Sequence, residues 1–200
     1  KFKFEFADGT FGSTVMVKLG GTEFLSLAEV EVLSYGHSAR PSISSRPSIS
    51  SIPSMNPTRP VFNVAIFGTA SQSCTSEWDN GAHTAIDGNT DGDLNNGSVT
   101  HTCWMFQAWW KVDLAFETEI NKIIVWNRID CCTERLSNSD VIILDRNNNE
   151  VASRYIDDST GVEKITFEFA DGTFGSTVMV KLRGSNALSL AEVEVLSHND

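Results

Sequence analysis

A block of 34 residues occurs twice in this chain, and no other feature limits its possible folds as tightly. Lys1 to Ser34 lies on Lys164 to Ser197 at a constant offset of 163 without a gap, and 28 of the 34 positions are identical. Phe4-Glu5-Phe6-Ala7-Asp8-Gly9-Thr10-Phe11-Gly12 returns as Phe167 to Gly175, and Leu27-Ala28-Glu29-Val30-Glu31-Val32 returns as Leu190 to Val195. Repeats of fixed length mark structural units that bury their apolar faces against one another. A duplicated tail without its body cannot do so alone, and the matching slot in the second unit is already taken by residues 164–197. Residues 1–34 are therefore expected to be the C-terminal strands of a preceding copy of the domain, in a chain that is a window on a tandem array. A frayed N-terminal extension is the plainer alternative. With no initiator Met and no leader, the sequence reads as a mature piece of something longer.

Residues 35–60 join the two copies. Pro41-Ser42-Ile43-Ser44-Ser45-Arg46-Pro47-Ser48-Ile49-Ser50-Ser51-Ile52-Pro53-Ser54 is itself a small repeat. Prolines at this spacing block helix and sheet interiors, so an extended linker with polyproline II character is expected, with serines open to O-linked sugars. Residues 61–200 read as an all-β domain. Trp110, Val112 and Leu114 alternate with Lys111 and Asp113, Ile123 and Val125 alternate with Ile124 and Trp126, and Val141 to Leu144 is a continuous apolar run. Asp145-Arg146-Asn147-Asn148-Asn149 is turn chemistry, and Ile165 to Leu182 reads as strand, loop, strand before a last strand at Ala191 to Leu196. Short strands, turn-rich loops and no long amphipathic helix favour an antiparallel sandwich or barrel.

Charge and cysteines narrow the function classes. A formal charge of -11 argues against nucleic acid, whose phosphates need a basic surface. No run of about 20 apolar residues exists, so no membrane span is expected. The four cysteines, Cys74, Cys103, Cys131 and Cys132, match no zinc spacing and allow three pairings. Together with the Ser/Pro linker they favour a secreted, oxidising setting.

The chemistry concentrates between His101 and Arg135. After His101 come 26 residues and then Arg128-Ile129-Asp130-Cys131-Cys132-Thr133-Glu134-Arg135. A neutral sugar offers hydroxyls and a ring oxygen as acceptors and C–H faces as apolar surface. Guanidinium forks and an imidazole supply fixed donors for the former, and a flat, dry surface suits the latter. The bland alternative pairs Arg128 with Asp130 and Arg135 with Glu134 as ordinary surface ion pairs, each worth little.

This spacing resembles the signature of the F-type lectins, the fucose-binding family typified by eel agglutinin. The resemblance runs from about Asn63 to Ser197 and includes Trp109-Trp110-Lys111-Val112-Asp113-Leu114 and Glu192-Val193-Glu194-Val195. It implies a discoidin-like (F5/8 type C-like) antiparallel β-sandwich or jelly roll. It also implies that His101, Arg128 and Arg135 donate to fucose and that Asp130 holds one guanidinium in place. A vicinal Cys131–Cys132 disulfide would lie against the sugar ring, even though α-carbons about 3.8 Å apart fall below the usual disulfide span. The companion pair would then be Cys74–Cys103.

The resemblance further implies a Ca²⁺ site. Asp87, Asn89 and Ser98 would give side-chain oxygens, Thr84 and Ala191 backbone carbonyls, and Glu192 a late carboxylate, an oxygen-only set that suits calcium. The alternative is a loop in which Asp and Asn merely cap the backbone. Two positions depart from the family pattern. Val99 and Ala191 stand where relatives often have a disulfide, and Leu94 and Asn95 stand where relatives place aromatics around the sugar's methyl group; Trp78 or Leu94 would have to substitute.

The leading functional expectation is a non-enzymatic, calcium-supported lectin for fucosylated glycans or glycoproteins, made multivalent by tandem copies. The alternative is a structural extracellular repeat protein that builds a filament or matrix with neighbouring copies of the same protein. Membrane binding is a third class, and it would need exposed apolar loop tips; Trp104, Met105 and Phe106 are the candidates.

Overall fold

Period-2 alternation is what turns this sequence into sheets, and burial follows it residue by residue along Lys122–Asn127 and Ser139–Leu144. The computed structural model describes residues 61–77 and 80–198. The expected tail copy at 1–34, the linker at 35–60 and Trp78 lie outside them. In chain order the strands are β1 (Val61–Asn63), β2 (Thr69–Gln72), β3 (Thr100–His101), β4 (Met105–Phe106), β5 (Trp109–Glu119), β6 (Lys122–Asn127), β7 (Ser139–Leu144), β8 (Glu150–Ile156), β9 (Lys164–Glu168), β10 (Phe174–Leu182), β11 (Ser185–Asn186) and β12 (Ser189–His198).

Two antiparallel sheets result. One runs β1-β12-β6-β9 with β3 also on β12, the other runs β2-β5-β10-β7-β8, and β4 with β11 makes a separate two-stranded ribbon. This is an antiparallel all-β sandwich, one of the two forms the strand pattern allows and the discoidin-like one that the resemblance implies. Trp110 and Val112 on β5, Ile123 and Val125 on β6, Val141 and Ile143 on β7, Val178 and Val180 on β10, and Val193 and Val195 on β12 are all buried. Apart from Thr177 and Glu192, their neighbours are less buried, as the alternating faces of a pleated strand require. The indole N–H of the buried Trp110 donates to the Ala82 carbonyl at 2.8 Å, which satisfies its one polar atom and docks the short 3₁₀ turn Ala82–Ile86 on the core.

β12 breaks its own alternation. Its register on β6 shifts between Leu190 and Glu192, and Ser189 to Val193 are buried without interruption. An extra residue on one strand of a pair re-aims the side chains around it. The consequence is that Glu192, the polar member of an apolar-polar strand, is turned fully inside.

Candidate functional site

Arg128 follows directly on β6 and is almost wholly buried. A buried guanidinium must be paired, and Asp130 supplies the partner: Nε and Nη2 donate to its two carboxylate oxygens, each at 2.7 Å. The fork uses Nε and Nη2 and leaves the N–H groups of Nη1 outside the pair. The guanidinium beside Asp130 also holds that carboxyl below its ordinary value. Leu94 N donates to Asp130 Oδ1 at 3.3 Å and Ile129 N donates to the Gly92 carbonyl at 2.9 Å, so the fork is tied to the loop that precedes β3. Gly92 is required there, because a Cβ would stand 2.7 Å from the Asn127 carbonyl oxygen and 2.8 Å from the Ile129 side chain. Leu94, one of the two departures from the family pattern, thus serves through its backbone; it is the half-buried residue of the turn Leu94–Asn96, whose Asn95 and Asn96 are exposed.

Arg135 lies on the 3₁₀ turn Thr133–Leu136, whose entry residue Cys132 takes the left-handed conformation at φ 62. Its partner is His101 rather than the neighbouring Glu134: Arg135 Nη1 and His101 Nε2 are 2.9 Å apart. His101 Nδ1 is 2.8 Å from the Thr102 carbonyl, which can only accept, so in the neutral ring Nδ1 carries the proton and Nε2 accepts from Arg135. The imidazole therefore orients a guanidinium, and the remaining N–H groups of Arg135 lie outside this bond. Both side chains line an open depression of about 430 Å³ with Thr75, Ser76, Glu77 and Trp104 among its other walls.

The six expected sugar-site residues thus fall into two contacts joined by one covalent feature. Arg128 pairs with Asp130, His101 meets Arg135, and the Cys131–Cys132 disulfide sits between the two arginines in the chain, its α-carbons 3.8 Å apart. The depression takes in His101 and Arg135 and not Arg128, Cys131 or Cys132. The second disulfide, Cys74–Cys103, fastens the chain after β2 to the residue two beyond His101. Permanent donors of this kind hold neutral acceptors at about 1.5–3 kcal/mol per charge-assisted bond.

Of the six expected cation ligands, Thr84 lies on the turn Ala82–Ile86, Asp87, Asn89 and Ser98 lie on the loop before β3, and Ala191 and Glu192 lie on β12. Asp87 Oδ1 accepts from Asn89 N, Asn89 Oδ1 from Asp91 N, Asp91 Oδ1 from Asp93 N, and Asp93 Oδ1 from Asn95 N, at 2.8 to 3.1 Å. Ser98 Oγ donates to the Asp91 carbonyl, and Thr84 Oγ1 donates to the Gly81 carbonyl at 2.9 Å. Backbone capping is therefore present in full. It leaves one group unexplained: Glu192 Oε1 accepts from Gly88 N at 3.1 Å, but Oε2 is buried with no hydrogen-bond partner. Burial, with Asp87 close by, pushes this carboxyl up to about 8. An orphaned buried carboxylate oxygen facing a second carboxylate fits a cation, and carbonyl, amide and hydroxyl oxygens nearby fit a hard one. Among the described residues no three His, Cys, Asp or Glu side chains converge on one point, as expected of a set with only two carboxylates. Val99 and Ala191, at the position of the missing disulfide, are both fully buried apolar residues.

Sequence reasoning missed the depth of the wall around His101. Thr75, Ser76, Glu77 and Ala187 carry no motif, and Trp104 read only as a membrane-facing tip. The one available signal was the Cys74–Cys103 pairing, which brings two of these stretches together.

The two-sheet β-sandwich, with His101 and Arg135 lining an open depression, has the architecture of the β-sandwich lectin domains to which it is similar. A family described as NedA-like, galactose-binding domain matches residues 84–180. Fucolectin-6 of Anguilla japonica is 40% identical over 139 residues, 66% of this chain and 74% of that protein. The lectin domain of lectinolysin, solved with Lewis B antigen, is 38% identical with a TM-score of 0.65, covering 69% of this chain and 98% of that one. An f-lectin from the serum of striped bass (Morone saxatilis) is 35% identical with a TM-score of 0.61, covering 69% of this chain and 49% of that one. The chain belongs to the fucolectin, or F-type lectin, family.

Proposed function

We propose that residues 61–200 form a calcium-supported lectin domain that binds L-fucose-bearing glycans and performs no chemistry. The observation that carries the reading is the pair of buried or half-buried arginines, one forked to Asp130 and the other oriented by His101, on either side of a vicinal disulfide. Arg128 and Arg135 donate to the sugar, His101 holds the Arg135 guanidinium in place through Nε2, and Cys131 and Cys132 give the ring an apolar, waterless face. Thr84, Asp87, Asn89, Ser98, Ala191 and Glu192 hold Ca²⁺. The ion supplies charge neutralisation for two carboxylates and fixes the loop whose backbone reaches Asp130. The Lewis B complex of the lectinolysin domain and the serum origin of the striped bass lectin support fucosylated partners and an extracellular setting.

Tandem copies raise avidity, because a shallow site for one sugar binds weakly and a tethered second site meets its ligand at high effective concentration. A second reading, a filament or matrix built from copies of the same protein, is favoured by the near-identity of the two 34-residue blocks. Calorimetric titration with L-fucose, with and without chelator, tests the first reading: binding at one site per chain that weakens when calcium is removed is expected, and absence of binding with calcium present refutes it.

A further inference from the structure

The six positions at which the two 34-residue blocks differ are not scattered over the fold. Two fall on β9, Phe2 against Ile165 and Lys3 against Thr166. Four fall within five residues: Gly20 against Arg183, Thr22 against Ser185, Glu23 against Asn186 and Phe24 against Ala187. The apolar residues that β10 and β12 send into the core, Val178, Val180, Leu182, Leu190, Val193 and Val195, are identical in both blocks, as is Glu192. The framework is kept and one edge is rewritten.

That edge is β11 and the residue that follows it. Ser185 pairs with Phe106 and Asn186 with Met105, and Ala187 lines the depression that holds His101 and Arg135. Ala187 is the one buried residue among the six, 2% exposed. Interiors are close-packed, so in the same framework a phenyl ring at this position has no core space to enter. The space open to it is the depression.

The partner strand carries the second observation. Trp104 also lines the depression, yet it is 68% exposed, and Phe106 two residues on is 65% exposed. Leaving an indole in water forgoes about 25 cal/mol for each Å² of apolar area that burial would remove. This indole is nevertheless on a fixed base. Cys103 beside it is disulfide-bonded to Cys74, Thr102 exchanges hydrogen bonds with Leu188 at 2.8 and 2.9 Å, and Gln107 N donates to the Gly184 carbonyl at 2.8 Å. A rigid, flat apolar face next to oriented donors is what stacks on the C–H face of a neutral pyranose, because little conformational entropy remains to be lost.

We propose that the β4–β11 ribbon is the selectivity rim of the sugar site. Trp104 is the platform for the neutral sugar ring next to the gripped fucose, and the residue at position 187 sets how much room that ring has. This rests on the fucose reading above. It also means that a domain ending in the first block's sequence, with Phe in place of Ala187 and Glu in place of Asn186, reads a different neighbouring sugar.

The test is calorimetry on the full chain with two probes, L-fucose and the Lewis b oligosaccharide. Trp104→Ala, an exposed position with little folding risk, is expected to weaken the oligosaccharide about 5- to 10-fold while L-fucose affinity stays within about 2-fold. Ala187→Phe is expected to weaken the oligosaccharide more than L-fucose, and Thr166→Lys, on the exposed face of β9, to change neither. Equal weakening of both probes by Trp104→Ala, or no effect on either, overturns the rim with the fucose reading intact. If the unmodified chain fails to bind L-fucose, both fall. A Trp fluorescence blue shift on phosphatidylcholine vesicles, with none on the oligosaccharide, also overturns the rim and assigns Trp104 to lipid.

Discussion

The two ends of β12 live in different environments. Toward its C-terminus Val193 and Val195 close on an apolar interior built by side-chain size and alternation. Toward its N-terminus Ser189, Leu190, Ala191 and Glu192 are just as buried but back the loops that carry the site, and Thr100, Thr102 and Arg128 are buried in the same region. The first end is held by packing, which tolerates exchange of one hydrocarbon for another. The second is polar, with Ser189 Oγ and Glu192 Oε2 buried without a hydrogen-bond partner, and an unpaired buried polar atom costs more than a paired one contributes. Specificity is therefore concentrated where substitution is least tolerated.

Trp110→Ala attacks the packing end and is expected to have the largest effect, about 3–5 kcal/mol of stability lost in chemical denaturation. Sugar binding should survive at temperatures where the variant remains folded; binding lost in a folded variant would show that the two ends are not separable. Removal of calcium attacks the polar end. Calcium at about a hundredfold its Kd should stabilise the domain by about 2.7 kcal/mol, read as a rise in Tm that chelator reverses. Glu192→Gln should abolish that response, and a calcium response that persists in the variant would remove Glu192 from the ligand set.

Arg128→Ala should weaken L-fucose by about 10- to 150-fold, the loss of one or more charge-assisted bonds at about 1.5–3 kcal/mol, with Tm shifted far less than by Trp110→Ala. Asp130→Asn removes the counter-charge of the buried Arg128 guanidinium and is expected to cost up to about 3–5 kcal/mol. Its pH dependence sharpens the contrast. Because the Arg128 hydrogen bond depresses the Asp130 carboxyl below 3.8, its contribution is present in full above that pH and is lost as pH falls through the depressed native value. The difference between wild type and variant should therefore vanish in acid, and a pH-independent difference would mean that Asp130 acts by shape alone.

The packing end was the more legible in the sequence. Alternation in Trp110–Leu114 and Ile123–Trp126 states which face is buried, and Asp145 caps the turn between β7 and β8 through Asn147 N and Asn149 N, as its residue types suggest. The polar end was legible only where spacing is diagnostic, as for His101, Arg128 and Arg135. That Glu192 points inward depends on a register shift one residue long, which no periodicity announces. That Arg135 chooses His101 over Glu134 depends on a left-handed Cys132 turning the chain. The β4–β11 ribbon pairs two-residue strands far apart in sequence, so it was invisible to any local pattern.

The loop from Asp87 to Asn95 has a parity. Each odd-numbered side chain from Asp87 through Asp93 caps the amide two positions on. Each cap spans only two residues, so a single inserted residue breaks the cap it falls within and leaves the others formed. An even step made of further Asx-x pairs extends the ladder by whole rungs, so the loop can be lengthened toward a ligand while every second amide along it keeps a local cap.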